Sequence, residues 1–354
     1  MLKFFCLCLA SVLVRTCGAL SQSGNFTIIP PESKKNILIV SRITSGSSFF
    51  GELIQSYDEK TFYTFEPLIM RDHYKHVDPN EHIEKSIETL NGIFKCDFSQ
   101  QKNYISWMLR RKNHNFWSRN TYLLNSADAN IFEGRKKANE KILKTFNSVC
   151  NSASTNLVKV NRLRMSQVGA FLNQLGDHFP KKFVQNFKVL FLIRDPRGIL
   201  SSRKIRHFCA AACRSARKIC QDMDANLKGY IEVKNRYPNN VFIVRYEDVS
   251  KDVMDFSQEF FPNILDLNVN ENIVNFIETH TKNDGVNHRN VASTIHESKS
   301  RTFIWTERLN ENTIASFDTF CSHPMKLAGY KSYIEGKGEG KDLEDIYWLK
   351  DIKV

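Results

Sequence analysis

Short apolar runs separated by longer amphipathic stretches set the pattern of this chain. Asn36-Ile37-Leu38-Ile39-Val40 has the continuous apolarity of a strand buried on both faces. Leu157-Val158-Lys159-Val160, Val189-Leu190-Phe191-Leu192-Ile193 and Val241-Phe242-Ile243-Val244 read the same way, and a further strand-like run precedes Glu66. Helical spacing covers Glu81–Phe94, Arg135–Val149, Ser166–Leu175 and Cys213–Tyr237, then Val249–Phe260, Asn270–His280 and Asn312–Ala328. Strands joined by crossovers of this length predict an α/β fold, a single domain whose central, mainly parallel sheet is flanked by helices. In such sheets ligands bind where strands give way to helices. The chemistry is therefore expected at Ser41–Ser48 and at Arg194–Ser202.

The two ends fall outside that pattern. Lys3, an apolar run from Phe4 to Val14, then Arg15 and the small residues Thr16-Cys17-Gly18-Ala19 predict a signal peptide or short membrane anchor over 1–19. Residues 20–33 form a polar stem, 34–335 the folded domain, and 336–354 a charged, glycine-bearing tail. Asn25-Phe26-Thr27 is an N-glycosylation acceptor in the stem. Three of the nine cysteines lie in the leader. The other six, Cys96, Cys150, Cys209, Cys213, Cys220 and Cys321, predict up to three disulfides in an oxidising compartment, with connectivity open among fifteen. No C-x-x-C pair occurs, which argues against a zinc site.

Charge narrows the chemistry. Fifty Lys and Arg against thirty-eight Asp and Glu leave the 354-residue chain at +12 and predict an anionic partner. From Lys181 to Lys218 there are eleven basic residues and one acid, Asp195. The loop Ser45-Gly46-Ser47-Ser48 between strand and helix is of the kind whose backbone N–H groups close on a phosphate, but it lacks the G-x-x-x-x-G-K-[ST] pattern of a nucleoside triphosphate loop. In the second loop, Arg194 ends a buried strand, Pro196 opens a helix and Ser202 lies two turns on, so Arg and Ser could grip one phosphate from two sides. A plain Arg194–Asp195 or Arg197–Asp195 surface pair is the competing explanation.

Taken together, Ser45-Gly46-Ser47-Ser48-Phe49 with Gly51-Glu52-Leu53, and Arg194-Asp195-Pro196-Arg197 with Ser201-Ser202-Arg203, resemble the 5′-phosphosulfate loop and 3′-phosphate motif of the carbohydrate sulfotransferases. Within them the resemblance is to the Golgi enzymes that sulfate the 6-hydroxyl of galactose, N-acetylgalactosamine or N-acetylglucosamine. Phe62–Leu68, Val244–Val249 and Trp305 with Cys321, Met325 and Gly329-Tyr330 agree in the same order, so it spans Lys34 to Tyr333. It implies the sulfotransferase variant of the P-loop architecture and 3′-phosphoadenosine 5′-phosphosulfate as donor, with no metal. Thr44, Ser45, Gly46, Ser47, Ser48 and Phe49 would wrap the phosphosulfate, and Arg194 and Ser202 would hold the 3′-phosphate. Glu66 would be the base for a sugar hydroxyl. The acceptor would be a glycan or glycosaminoglycan rather than nucleic acid, and the location the Golgi lumen or, failing retention, the outside of the cell. One departure stands out: the basic residue usual before S-G-S-S is Thr44 here, leaving Arg42 as the candidate catalytic cation. If nothing fills that role, the chain would be an impaired member that binds acidic glycans.

Overall fold

The computed structural model describes residues 27–70, 83–110, 118–126, 131, 132, 134–206, 211–281, 302–332 and 352. Five strands, β1 (Lys35–Ser41), β2 (Thr61–Phe65), β3 (Thr155–Val160), β4 (Phe187–Ile193) and β5 (Val241–Arg245), form one sheet in the order β2-β3-β1-β4-β5. Every neighbouring pair is parallel, with Leu38 opposite Val158 on one side and Val189 on the other. β1 is central, so both of its faces are covered. Leu38 and Val40 enter one apolar core while Ile37 and Ile39 enter the other, the period-two alternation of a strand.

Helices fill both layers. On one face lie α1 (Ser47–Gln55) and, later in the chain, the pieces Tyr246–Lys251, Val253–Leu265 and Glu271–Thr281. The other carries Ile83–Phe94, Glu140–Ser152, Met165–His178, Ala216–Arg236 and Glu311–Leu327. Side-chain caps set several boundaries: the carbonyl or hydroxyl oxygens of Asn139, Ser215 and Asn310 accept from Ile142, Lys218 and Thr313 N–H respectively. This explains why Glu140–Ser152 begins five residues after the expected Arg135. The single helix expected over Val249–Phe260 is two, because Asp252 leaves helical geometry and accepts from Met254 and Asp255 N–H, starting a new helix. Four short helices, Lys102–Met108, Thr121–Ser126, Lys181–Asn186 and Trp305–Arg308, carry too few turns to show a period in the sequence.

Two disulfides are resolved in full, Cys96–Cys150 and Cys220–Cys321, and Cys213 is also disulfide-bonded. Cys209, the leader, the glycosylation acceptor and most of the tail lie outside the described residues. Among the described residues no helix is long and apolar enough to cross a membrane.

Candidate functional site

The carboxyl ends of β1, β3 and β4 converge on one place. After β1 the chain turns through Thr44 at φ 72° and Gly46 at φ 85°, both left-handed, before α1 begins. The turn is braced from within: the Ser45 hydroxyl accepts from Arg42 N–H at 3.0 Å and donates to the Arg42 carbonyl. Ser41 donates to Asn161 Oδ1 at 2.5 Å, and Ser47 approaches the same oxygen at 3.5 Å. Ser45 and Ser47 are thus buried supports, and of the three loop serines Ser48 is the one partly open to solvent. Phe49 points into the core beside Phe276, 5.7 Å between ring centres. The residue before α1 is Gly46, which has no side chain to cap the first-turn N–H groups.

The second loop meets the first. Arg194 donates from one terminal nitrogen to the Thr44 carbonyl at 2.9 Å and to the Ser202 hydroxyl at 3.3 Å. Its guanidinium lies 4.4 Å from the centre of the Tyr246 ring, and that ring occupies the space where a β-carbon on Gly46 would be, 2.2 Å from its nearest carbon. Gly46 is therefore glycine for two reasons, its φ and the ring against it. Arg194, Ser202 and the 44–46 turn come together as expected. Arg197 does not join them: it grips Asp195 through Nε and one terminal nitrogen, stacks 4.4 Å from the centre of the Trp305 ring, and is fully buried. That is the expected alternative pair, made inside the protein rather than on its surface. The basic block is also divided, since Lys181 and Lys182 lie in the short helix before β4 and Lys188 at the start of β4, away from the loops. Behind the turn Glu247 accepts from Asp195 N–H at 3.0 Å and from the Tyr330 hydroxyl at 2.6 Å. Burial first, then the nearby Asp195 charge, pushes its carboxyl up to about 7.

Glu66, just past β2, is buried at a left-handed φ of 56°. Lys159 donates to one of its oxygens at 2.5 Å; Arg162 at 2.6 Å and Asn161 N–H at 3.2 Å donate to the other. Lys159 also sits 4.4 Å from the centre of the Phe65 ring, and burial lowers its pKa in spite of the carboxylate. Sequence reasoning passed over Lys159 and Arg162. The signal was present in a lysine inside an otherwise apolar strand, which is costly unless paired. Arg42 pairs with Asp222 at 2.6 Å and donates to the Asn161 carbonyl at 3.5 Å, with Arg203 near enough to repel it. Arg203 itself donates to the Ile43 carbonyl at 3.2 Å, beneath the turn.

A glycine-bearing turn, a paired Arg and Ser, and a buried Glu between cations thus lie at the carboxyl ends of the strands. The family description "Sulfotransferase domain" matches residues 34–329. Carbohydrate sulfotransferase 1 of Danio rerio is 25% identical over 349 residues, covering 84% of this chain and 78% of that protein. The protein of the same name from Homo sapiens is 23% identical over 363 residues, covering 89% and 86%. A solved sulfotransferase domain from the Synechococcus PCC 7002 olefin synthase is 13% identical with a TM-score of 0.41, covering 83% of this chain and 93% of that one, too loose a likeness to add weight. The chain belongs to the sulfotransferase family, and the curated relatives it resembles along most of its length are carbohydrate sulfotransferases.

Proposed function

We propose that this protein transfers the sulfuryl group of 3′-phosphoadenosine 5′-phosphosulfate to a hydroxyl, a 6-hydroxyl, of a glycan. The observation that carries the reading is the junction made by Arg194, which reaches Ser202 and the Thr44 carbonyl at once. A donor with phosphates at both ends of its ribose needs two anion sites at a fixed distance, and a contact that ties the two loops together supports that reading. Arg194 and Ser202 would hold the 3′-phosphate, and the Ser45–Phe49 turn with the first N–H groups of α1 the 5′-phosphosulfate. The sugar oxygen attacks sulfur in line, its proton passes to Glu66, and the bridging electron pair leaves with the 5′-phosphate. Positive charge beside the transferring group is what stabilises such a transition state. Lys159, in β3, and Arg162, just past its end, supply it, where Thr44 supplies none; Arg42, held by Asp222, is the second candidate. Paired cysteines support a lumenal setting in the secretory pathway, with the Golgi as the compartment the leader and family suggest.

The test is transfer of radiolabelled sulfate from the donor to a panel of desulfated glycans. Wild type is expected to label at least one. Glu66→Gln is expected to lose about 10²-fold or more in kcat, and Arg194→Ala to weaken adenosine 3′,5′-bisphosphate by ~2–4 kcal/mol. AMP, lacking the 3′-phosphate, should bind weakly to wild type and variant alike. Equal losses for both nucleotides would contradict the assignment of Arg194.

A further inference from the structure

The backbone pairing of β1 with β3 ends at Val40 opposite Val160, and Ser41 and Asn161 stand one step beyond it. There the side chains take over: the Ser41 hydroxyl donates to Asn161 Oδ1 at 2.5 Å. Ser47, the first residue of α1 and so the far end of the turn that Ser41 begins, approaches the same oxygen at 3.5 Å. One amide oxygen is thus shared by both ends of the turn, and all three side chains are buried.

The backbone of the same residue serves Glu66. Asn161 N–H donates to Glu66 Oε2 at 3.2 Å, and Glu66 N–H donates to the Lys159 carbonyl at 2.8 Å. The carboxylate therefore rides on the end of β3, between the Lys159 and Arg162 side chains that flank Asn161 in the sequence. The Asn161 carbonyl also accepts from Arg42 at 3.5 Å. Contacts run without a break from the turn, through Ser41 and Asn161, to Glu66. The residue type matters here. Alanine at 161 would leave two buried hydroxyls without their shared acceptor. Aspartate would keep the acceptor but set a second negative charge beside Glu66. Asparagine gives the oxygen without the charge.

In-line transfer needs attacking oxygen, sulfur and leaving oxygen on one line, and a misplacement of about 1 Å can cost about 10²-fold. Resting on the sulfotransferase reading, we infer that Asn161 is a positioning residue: it holds the donor-binding turn at a set distance from Glu66, so that base and sulfuryl group meet. The test combines steady-state transfer to the desulfated glycan that wild type labels best with calorimetric titration of adenosine 3′,5′-bisphosphate. Asn161→Ala is expected to lower kcat about 10- to 100-fold and to leave the acceptor KM within about twofold. Bisphosphate affinity should stay within about threefold, because the Arg194–Ser202 contact and the Ser45 brace are untouched, and it reports that the variant is folded. In a Glu66→Gln background the same substitution should lower kcat by less than about threefold, since the geometry it keeps serves a base already lost. A purely structural part would multiply the two losses. Ser41→Ala breaks the link from the β1 side and is expected to lower kcat about tenfold, which decides the matter should Asn161→Ala fail to fold. A kcat within about threefold of wild type for the single variants, multiplying losses in the double variant, or a bisphosphate affinity weakened more than about tenfold overturns the inference. A wild type that labels no glycan overturns the functional reading and this link with it. An active wild type indifferent to Asn161→Ala overturns the link alone.

Discussion

Gly46 carries two constraints, a φ of 85° and the Tyr246 ring against its α-carbon. An alanine there strains the backbone and displaces a ring that also stacks on Arg194. Gly46→Ala is expected to cost about 2 kcal/mol of stability in urea and to weaken adenosine 3′,5′-bisphosphate by about tenfold. Glu247 is a second single-residue lever. Its carboxyl keeps a proton up to about 7 in the folded protein, against 4.5 when exposed. Between those values the folded state holds more protons than the unfolded one, so stability falls as pH rises through the window, by about 3 kcal/mol in all. Glu247→Gln should flatten that slope, measured by denaturant midpoints at pH 5 and pH 7.5; an unchanged slope would place the titration elsewhere. Legibility also varied residue by residue. Arg194 and Ser202 could be paired from their eight-residue spacing on a strand–helix junction, and they meet at 3.3 Å. The partners of Glu66 could not, because Lys159 and Arg162 approach it across strands far apart in the sequence.

At the level of elements, the strands were readable because burial on both faces leaves unbroken apolar runs, and the long helices because their apolar stripes repeat over several turns. What the pattern could not place were ends and breaks, which single polar side chains decide. Asp252 is the clearest: nothing in the periodicity of Val249–Phe260 announces a break, yet its carboxylate captures two N–H groups and a second helix starts there. Asp252→Ala should cost about 1 kcal/mol, read as a lowered urea midpoint with unchanged m-value. The join between Ala216–Arg236 and Glu311–Leu327 rests on the Cys220–Cys321 bond as well as on packing. Cys321→Ser removes a covalent closure across 101 residues and is expected to cost ~2–4 kcal/mol. Because neither helix supplies a side chain to the Arg194–Ser202 contact, nucleotide affinity measured well below the melting temperature should stay within about twofold.

For the molecule as a whole, the +12 charge acts before any contact forms. It draws the polyanionic donor towards the protein, so the association rate of adenosine 3′,5′-bisphosphate should fall about three- to tenfold between about 0.05 and 0.5 M salt, with dissociation changing less. A salt-independent rate would show that the charge is too dispersed to steer, as the position of Lys181 and Lys182 in the short helix before β4 and of Lys188 at the start of β4 already suggests for part of it. The sheet order, meanwhile, governs when the protein can exist at all. β1 emerges first from the ribosome but occupies the centre, pairing with β3 on one side and β4 on the other. Until Phe187–Ile193 has been made, its backbone has at most one neighbour and its two apolar faces have incomplete cover. Such late closure of non-local pairs slows folding and lengthens the time an unpaired edge is exposed. A nascent chain stalled before β4 would therefore present a sticky half-sheet, and its yield would depend on how quickly synthesis or a chaperone carries it past that point.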